Sequence, residues 1–247
     1  MSIHVFIGPS ITLEDARKEL DATFMPPVSE GDITRLVAND KPRAIGIIDG
    51  YFENVPSVWH KEILFAMTHG VHVYGASSMG ALRAAELHPF GMVGIGAVFE
   101  AYRDGLIEDD DEVAVIHGPA ELGYPALSEA MVNIRRTLSD ALHHHVIGQA
   151  THKRLEELAK TLSYKDRSYA NLFELAREYA IDRREVDAFS FWLQTGRADQ
   201  KRDDAILLLR TMRQQLKADT PPKDVRYHFE YTTLWDRAIR TVAQDAS

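Results

Sequence analysis

The sequence predicts an α/β fold, with a mostly parallel sheet and helices on both faces, followed by an all-helical C-terminal region. Up to about residue 120, strand-like apolar runs alternate with helix-like stretches, which is the pattern of a parallel sheet. Residues 43–49, RAIGIID, are almost continuously apolar, as expected for a strand buried on both faces. After Pro125, helical periodicity covers most of the chain to about residue 217.

The strands of the first part are apolar runs that end in turn residues. We expect them at 3–8, 43–49, 71–76 and 111–118. The last of these, DEVAVIHG, ends in a Gly-Pro turn. If it runs parallel to 71–75, both strands end at the same edge of the sheet, where ligands bind in open α/β folds.

The helices between these strands are placed by their capping residues. Thr12 is expected to cap a helix that runs to Leu20. Ser57 follows a proline and is expected to cap the helix VWHKEILFAMTHG. Two more helices are expected, one that ends near Leu87 and one in VGIGAVFEAYRDG, which Gly105 closes.

The C-terminal part has the pattern of successive helices. Helical periodicity covers LSEAMVNIRRTLSDALHHH, THKRLEELAKTL, YANLFELAREYA, EVDAFSFWLQTG and AILLLRTMRQQL. After a break at PPK, residues 221–223, an aromatic-rich segment and a final helix end the chain. We therefore expect an α/β catalytic domain over 1–124 and a helical region over 125–247.

Composition excludes several classes of function. The net charge of −9 disfavours nucleic-acid binding, which needs a basic surface. The absence of cysteine excludes disulfides, thiolate metal sites and cysteine nucleophiles. No apolar run reaches the roughly 18 residues of a membrane span. The N-terminus lacks the pattern of a signal peptide, so we expect a cytoplasmic protein that does not bind membranes.

The segment GASSMGALRAAE is the strongest candidate for a catalytic turn. It joins a strand to a helix, and Ala76–Gly80 fits the nucleophile-elbow form of a small residue, any residue, Ser, any residue, Gly. Ser78 would then be the nucleophile, and the Met79 amide at the helix N-terminus would stabilise an oxyanion. Ser77 is expected to cap the helix or end the strand. The alternative interpretation is that both serines only cap the helix.

A serine nucleophile needs a base, and His117 at the end of strand 111–118 is the candidate. Alone, it could equally be a hydrogen-bonded histidine at a strand end. The carboxylate that orients it would be Asp49 or a member of the run Asp109–Glu112, of which Asp111 is the preferred candidate. A second oxyanion donor could come from Gly50 or Tyr51.

Two further side chains are candidates for substrate binding. Arg83 and Glu86 are spaced i, i+3 on the helix after the turn, so they form either a surface ion pair or an arginine site for a carboxyl group. His60 could also face the site. The tract 143–145 holds three consecutive histidines, but adjacent helical residues diverge by about 100°, so no metal is expected. No cofactor is expected either.

Several segments together resemble the TfuA-like family. They are VFIGPS, IGIIDGYF, PSVWHKEIL, GASSMGALRAAEL, FGMVGIG, DDDEVAVIHGP and LSEAMVNIR, in this order from about residue 5 to 136. The resemblance implies a role in peptide-backbone thioamidation in the biosynthesis of ribosomal peptides, beside a YcaO protein that uses ATP to activate a backbone amide. The implied activity is hydrolysis of the C-terminal thiocarboxylate of a ThiS-like sulfur carrier, which releases sulfide.

Two classes of function follow from the residues and the resemblance together. The first is a serine-type thiocarboxylate hydrolase, with Ser78 as nucleophile, His117 as base and Asp49 or Asp111 as the orienting acid. Within it, water could instead attack directly, with Ser78 as an oxyanion donor. The second is a non-catalytic adaptor that binds YcaO and docks the sulfur donor.

Overall fold

The chain folds into two compact units. The computed structural model describes residues 2–51, 55–233, 235 and 236. The first unit contains the residues up to Leu106 together with those from Arg202 onward, and the second is Ile107–Lys201. This grouping differs from the expected division after residue 124, because the chain beyond Arg202 belongs with the sheet.

The first unit is built on a parallel sheet. Its strands are β1 (Ile3–Phe6), β2 (Thr23–Met25), β3 (Ala44–Ile47), β4 (His72–Gly75) and β5 (Val93–Gly94). They pair in parallel in the order β2-β1-β3-β4-β5. The expected strands at 3–8, 43–49 and 71–76 are confirmed as β1, β3 and β4, and so is the fold class. The short strands β2 and β5 were not predicted.

Helices follow each strand and fill the second unit. Those of the first unit are α1 (Leu13–Glu19), α2 (Asp32–Asp40), α3 (His60–Thr68), α4 (Met79–Leu87) and α5 (Ala97–Arg103). Those that follow are α6 (Met131–His143), α7 (Gln149–Thr161), α8 (Tyr169–Glu178), α9 (Arg183–Gly196) and α10 (Gln200–Gln215). The expected helical C-terminal region is thereby confirmed up to α10.

The two faces of the sheet are covered by different helices. On one face, Ala16 of α1 and Leu208 and Met212 of α10 form a buried cluster with Val5 and Tyr74 of the sheet. Crossovers between parallel strands are right-handed, so α2, α3 and α4 lie together on the opposite face. There α2 packs against α3. Helices α3 and α4 follow β3 and β4 in the chain, and each packs against β4.

Capping explains where the first helices begin. Thr12 caps α1 as predicted, since its hydroxyl accepts the Asp15 N–H at 3.1 Å. The prediction that Ser57 caps the next helix is wrong, because α3 begins at His60 with Trp59 as its N-cap residue. The carboxylate of Glu62 accepts the Trp59 N–H at 3.2 Å and so supplies the cap from inside the helix.

Glu62 also ties α3 to α2. It is buried, and its carboxylate accepts the N–H of Gly31 at 2.9 Å and both the N–H and the hydroxyl of Thr34. Burial raises the pKa of Glu62, and these hydrogen bonds offset only part of that effect. One carboxylate therefore joins the N-terminal ends of two helices.

The second unit has its own apolar core. Buried side chains of four helices form it, among them Ile134 of α6, Leu155 of α7, Leu172 of α8 and Phe189 of α9. Their spacing follows the helical periodicity from which the helices were predicted.

The prediction of a strand at 111–118 is wrong. A 3₁₀ turn occupies Asp110–Glu112, and the remainder of the segment contributes only an isolated antiparallel bridge between His117 and Ala126. The apolar run that indicated a strand is not buried along its length, because Val113 and Ala114 are buried while Ile116 is exposed. His117 is therefore not placed at the edge of the parallel sheet by a strand of that sheet.

Two other expectations have mixed outcomes. The helix expected in residues 93–105 is confirmed only from Ala97, because Val93 and Gly94 form β5 instead. The final helix expected after residue 226 falls largely outside the described residues. Among the helices that the structure describes, none is long and apolar enough to cross a membrane.

Candidate active site

Three loops meet at the carboxyl edge of the sheet. They follow β1, β3 and β4 and contain Gly8–Ser10, Asp49–Tyr51 and Ala76–Ser78. Since β1, β3 and β4 are adjacent and parallel, their ends lie side by side. This is the edge at which α/β sheets bind ligands.

The turn after β4 is strained at Ser77. Its φ is +67°, which is uncommon for a residue with a side chain, and the Ser78 N–H donates to the Ala76 carbonyl at 2.8 Å. A hydrogen bond between residues i and i+2, with a positive φ at the residue between them, is the pattern of the rare, strained γ-turn. Such a conformation costs about 1–3 kcal/mol and is found mostly at functional sites.

The two serines have different environments. Ser77 is fully buried, whereas 8 % of Ser78 is exposed. Ser78, not Ser77, occupies the N-cap position of α4, but its side chain makes no capping hydrogen bond. The interpretation that both serines cap the helix is therefore wrong for Ser78. Its hydroxyl is not used to cap the helix that it precedes.

Glycines let the strand and the helix approach closely around this turn. A Cβ on Gly80 would lie 1.8 Å from the carbonyl oxygen of Ile47, and one on Gly75 would lie 2.1 Å from that of Gly80. Only glycine is compatible with such distances. The start of α4 is thus pressed against β3 and β4, and this contact sets the position of Ser78.

The predicted oxyanion donors differ in whether their backbone amides already have an acceptor. In the part of the chain that the structure describes, neither the Met79 N–H nor the Gly50 N–H has an acceptor. The Tyr51 N–H, the other predicted donor, is occupied by the carbonyl of Val28 at 3.0 Å. Gly50 lies directly against Met79, since a Cβ on Gly50 would be 2.8 Å from the Met79 Cβ. Of these two predicted donors, the Gly50 N–H is the one without an acceptor among the described residues, and its role as an oxyanion donor stays a prediction.

Asp49 holds the loop after β1. It is buried, and its carboxylate accepts the N–H of Gly8 at 2.8 Å, the N–H of Ser10 at 3.1 Å and the hydroxyl of Ser10 at 2.6 Å. The pairing of Asp49 with Ser10 was not foreseen from the sequence. The observed bonds give Asp49 a structural role at this edge.

Arg83 and His60 lie together, and Glu86 joins them. One carboxylate oxygen of Glu86 is 2.6 Å from His60 Nε2 and 2.8 Å from Arg83 Nη1. Arg83 Nε donates to the Val58 carbonyl at 3.1 Å. Partial burial raises the pKa of Glu86, but the bonds from His60 and Arg83 outweigh it and lower the pKa below the usual value. The predicted Arg83–Glu86 pair is present, and the contact with His60 was not foreseen.

His117 lies in the second unit. It is half-buried, its Nδ1 is 2.9 Å from the Gly118 carbonyl oxygen, and its ring packs edge-on against Tyr124. Ser78 belongs to the first unit, so the pairing of Ser78 with His117 stays a prediction.

Asp111 is bound by cations. Its carboxylate contacts Lys160 and accepts from Arg167 Nη2 at 2.7 Å. Partial burial raises the pKa of Asp111, but these two cations hold it below the usual value. Lys160 also contacts Asp109 and Glu112, so its ammonium lies among three carboxylates that cluster within 4.8 Å. These bonds indicate a structural ion network around Asp111.

The fold and the edge described above define an α/β protein with a strained serine turn at the carboxyl edge of a parallel sheet. Residues 49–168, just under half of the chain, match the family model described as TfuA-like protein. The matched span includes Asp49, Ser78 and His117. A search among curated proteins finds no match to the chain.

Proposed function

We propose that this protein is a serine-type hydrolase that cleaves the C-terminal thiocarboxylate of a ThiS-like sulfur carrier. The sulfide released would supply a YcaO partner in peptide-backbone thioamidation. The family match supports a thioamidation context, and the proposal adds the reaction and the substrate.

The reaction proceeds through attack of the Ser78 hydroxyl on the thiocarboxylate carbon. The C–O bond forms while His117, the predicted base, takes the hydroxyl proton, and the carbonyl oxygen becomes an oxyanion. The C–S bond then breaks, and the sulfur leaves with that proton as HS⁻. Water hydrolyses the resulting acyl-serine to a carboxylate and regenerates the hydroxyl. The Met79 and Gly50 amides would stabilise both oxyanions, and one such donor typically contributes 10²–10³-fold to the rate.

The observation that carries this proposal is the turn at Ser77 and Ser78. The strain at Ser77, the uncapped hydroxyl of Ser78 and the two available amides lie together at the start of α4. A helix of the same length could begin with an ordinary capped serine and no strain. The small exposed fraction of Ser78 suits a thin substrate such as the extended C-terminus of a carrier protein.

The predicted base and its candidate orienting acids make other contacts in the structure. His117 was placed by a strand that does not form, and Asp111 is engaged by Lys160 and Arg167. Asp49 is engaged by Ser10. In this proposal Ser78 is the nucleophile, and His117 stays the predicted base.

Sulfide release from a thiocarboxylated ThiS-like carrier tests this function. Ser78→Ala should reduce the rate by at least about 100-fold, since the nucleophile is lost. Ser163→Ala, at an exposed serine whose hydroxyl accepts only the Lys165 N–H in the described structure, is the matched control and should retain full activity.

The outcomes separate three mechanisms. Undiminished release by Ser78→Ala would end the nucleophile assignment. No release by the wild-type protein would favour the adaptor that docks the sulfur donor to YcaO. An acyl-enzyme detected by intact mass would support the covalent route over direct attack of water.

A further inference from the structure

The second unit carries an apolar loop on its surface. Residues 116–127 form this loop, and it exposes 71 % of Leu122, 66 % of Leu127 and 37 % of Ile116. Its two prolines and two alanines are exposed as well. Single apolar side chains on a surface are ordinary, but a contiguous exposed group of them marks a contact with another molecule.

The loop is ordered by its own backbone hydrogen bonds. The Leu127 N–H donates to the Ile116 carbonyl at 2.8 Å. The Gly118 N–H donates to the Pro125 carbonyl, also at 2.8 Å, and a 3₁₀ turn at Ala120–Leu122 forms the tip. A loop that already has its conformation loses less entropy on binding than a disordered one. These apolar side chains are therefore presented in a form suited to docking.

Arg167 holds the base of the loop. Its side chain is fully buried, with Nη1 donating to the Asp111 carbonyl at 2.9 Å and Nη2 to the Asp111 carboxylate at 2.7 Å. The Arg167 carbonyl accepts the Glu129 N–H at 2.8 Å. Asp111 precedes the loop and Glu129 follows it, so one residue binds the chain on both sides of the loop.

The charge around the loop is negative. Residues 104–134 include eight Asp or Glu residues and no Lys or Arg. Glu108, Asp110 and Glu121 are exposed, and their carboxylates have no cationic partner among the described residues. Such a surface repels nucleic acid, an anionic membrane and a second copy of the same loop. It attracts a protein face that carries Lys or Arg.

We propose that the 116–127 loop is the docking surface for the sulfur-carrier protein, whose contact face combines an apolar hollow with a rim of Lys or Arg. This inference rests on the proposed hydrolase function and names where its protein substrate binds. The few apolar side chains of the loop cover less than the roughly 800 Å² per partner of a stable interface. They suit a substrate that must dissociate after each turnover. The span matched by the family model, residues 49–168, includes both the loop and Ser78.

Calorimetric titration of the carrier in its carboxylate form measures docking without any reaction. Leu122→Ala should weaken binding about 10-fold, as expected for loss of a central apolar contact. Leu207→Ala, at a half-exposed leucine of α10, is the matched control and should bind like wild type.

Charge reversal tests the basic rim. Glu121→Lys should weaken binding about 10-fold at low salt, and the effect should shrink in 0.5 M NaCl because salt screens exposed charges. Glu178→Lys, at an exposed glutamate of α8, is the matched control and should bind like wild type.

Steady-state sulfide release separates docking from chemistry. Leu122→Ala should raise KM for the thiocarboxylated carrier about 10-fold and change kcat by less than twofold, because the loop contacts only the body of the carrier. Thioacetate has no protein body, so its hydrolysis should be equally fast in variant and wild type. Slower hydrolysis of thioacetate by Leu122→Ala would overturn the inference, since the substitution would then act on the reaction itself.

The binding outcomes are separate from those of the hydrolase function. Carrier that fails to bind wild type, or binds Leu122→Ala and Glu121→Lys as tightly as wild type, overturns the inference. Loss of YcaO binding or of a dimer in these variants, with carrier binding unchanged, also overturns it and assigns the loop to that partner. Loop-dependent binding of the carrier without any sulfide release supports the docking surface and overturns the hydrolase function alone.

Discussion

Replacing Gly80 by alanine should damage both stability and activity. The new Cβ would lie 1.8 Å from the carbonyl oxygen and 2.6 Å from the carbonyl carbon of Ile47. Ordinary contact begins at 3.4 Å, so α4 and β3 must separate by roughly 1.5 Å. Both crowded atoms belong to the backbone of a central strand, and no side-chain rotation can relieve the clash.

The expected loss in the free energy of unfolding is about 2 kcal/mol. Overpacking of this kind costs about 1–3 kcal/mol, and a clash with backbone belongs at the upper end. Alanine regains about 1 kcal/mol of helix propensity over glycine. The activity should fall further than the stability suggests, because a displacement of about 1 Å at a reacting group can cost 100-fold in rate.

Urea unfolding and sulfide release measure the two effects. Gly148→Ala is the control, because its φ of −85° is ordinary and its Cβ would meet only the flexible end of Glu185 at 3.2 Å. It should lose less than about 1 kcal/mol. Gly80→Ala protein with wild-type stability and wild-type activity would refute the view that close backbone contact positions Ser78.

Two further predictions concern buried carboxylates. Asp49→Ala leaves the buried donors of Gly8 and Ser10 without their acceptor, so urea unfolding should show a loss of about 3 kcal/mol; a loss under 1 kcal/mol would contradict the role of Asp49 in holding that loop. The pKa of Glu62 is raised by burial, so the native protein holds this proton more tightly than the unfolded chain. Its contribution to stability is therefore present at low pH and is lost as the pH rises from 4.5 through the raised value. The free energy of unfolding of wild type minus that of Glu62→Gln should fall over that pH range, and a difference that grows with pH would contradict the shift.

Local patterns predicted much of the fold. The start of α1 follows from Thr12, whose hydroxyl accepts a hydrogen bond within its own helix. The strand β3 follows from its unbroken apolar run, and the C-terminal helices follow from their periodicity. In each case the residues that determine the structure are close together in the sequence.

The failures involve partners that are distant in the sequence. Segment 111–118 has a strand-like pattern but does not form a strand. Its Glu112 is buried and accepts two hydrogen bonds from Arg135, which lies 23 residues further along the chain. In the site, Ser78 was found from its local motif. The bond between Asp49 and Ser10 spans 39 residues and that between His60 and Glu86 spans 26, and neither leaves a local signal.

The discontinuity of the first unit has a consequence for biosynthesis. Ribosomes deliver the strands first, yet Leu208 and Met212, which cover one side of the sheet, emerge 102 and 106 residues after the chain has left it at Leu106. During that interval an apolar surface stays open to chaperones and to other nascent chains. Early termination before α10 should therefore yield insoluble product, even when every strand has been translated.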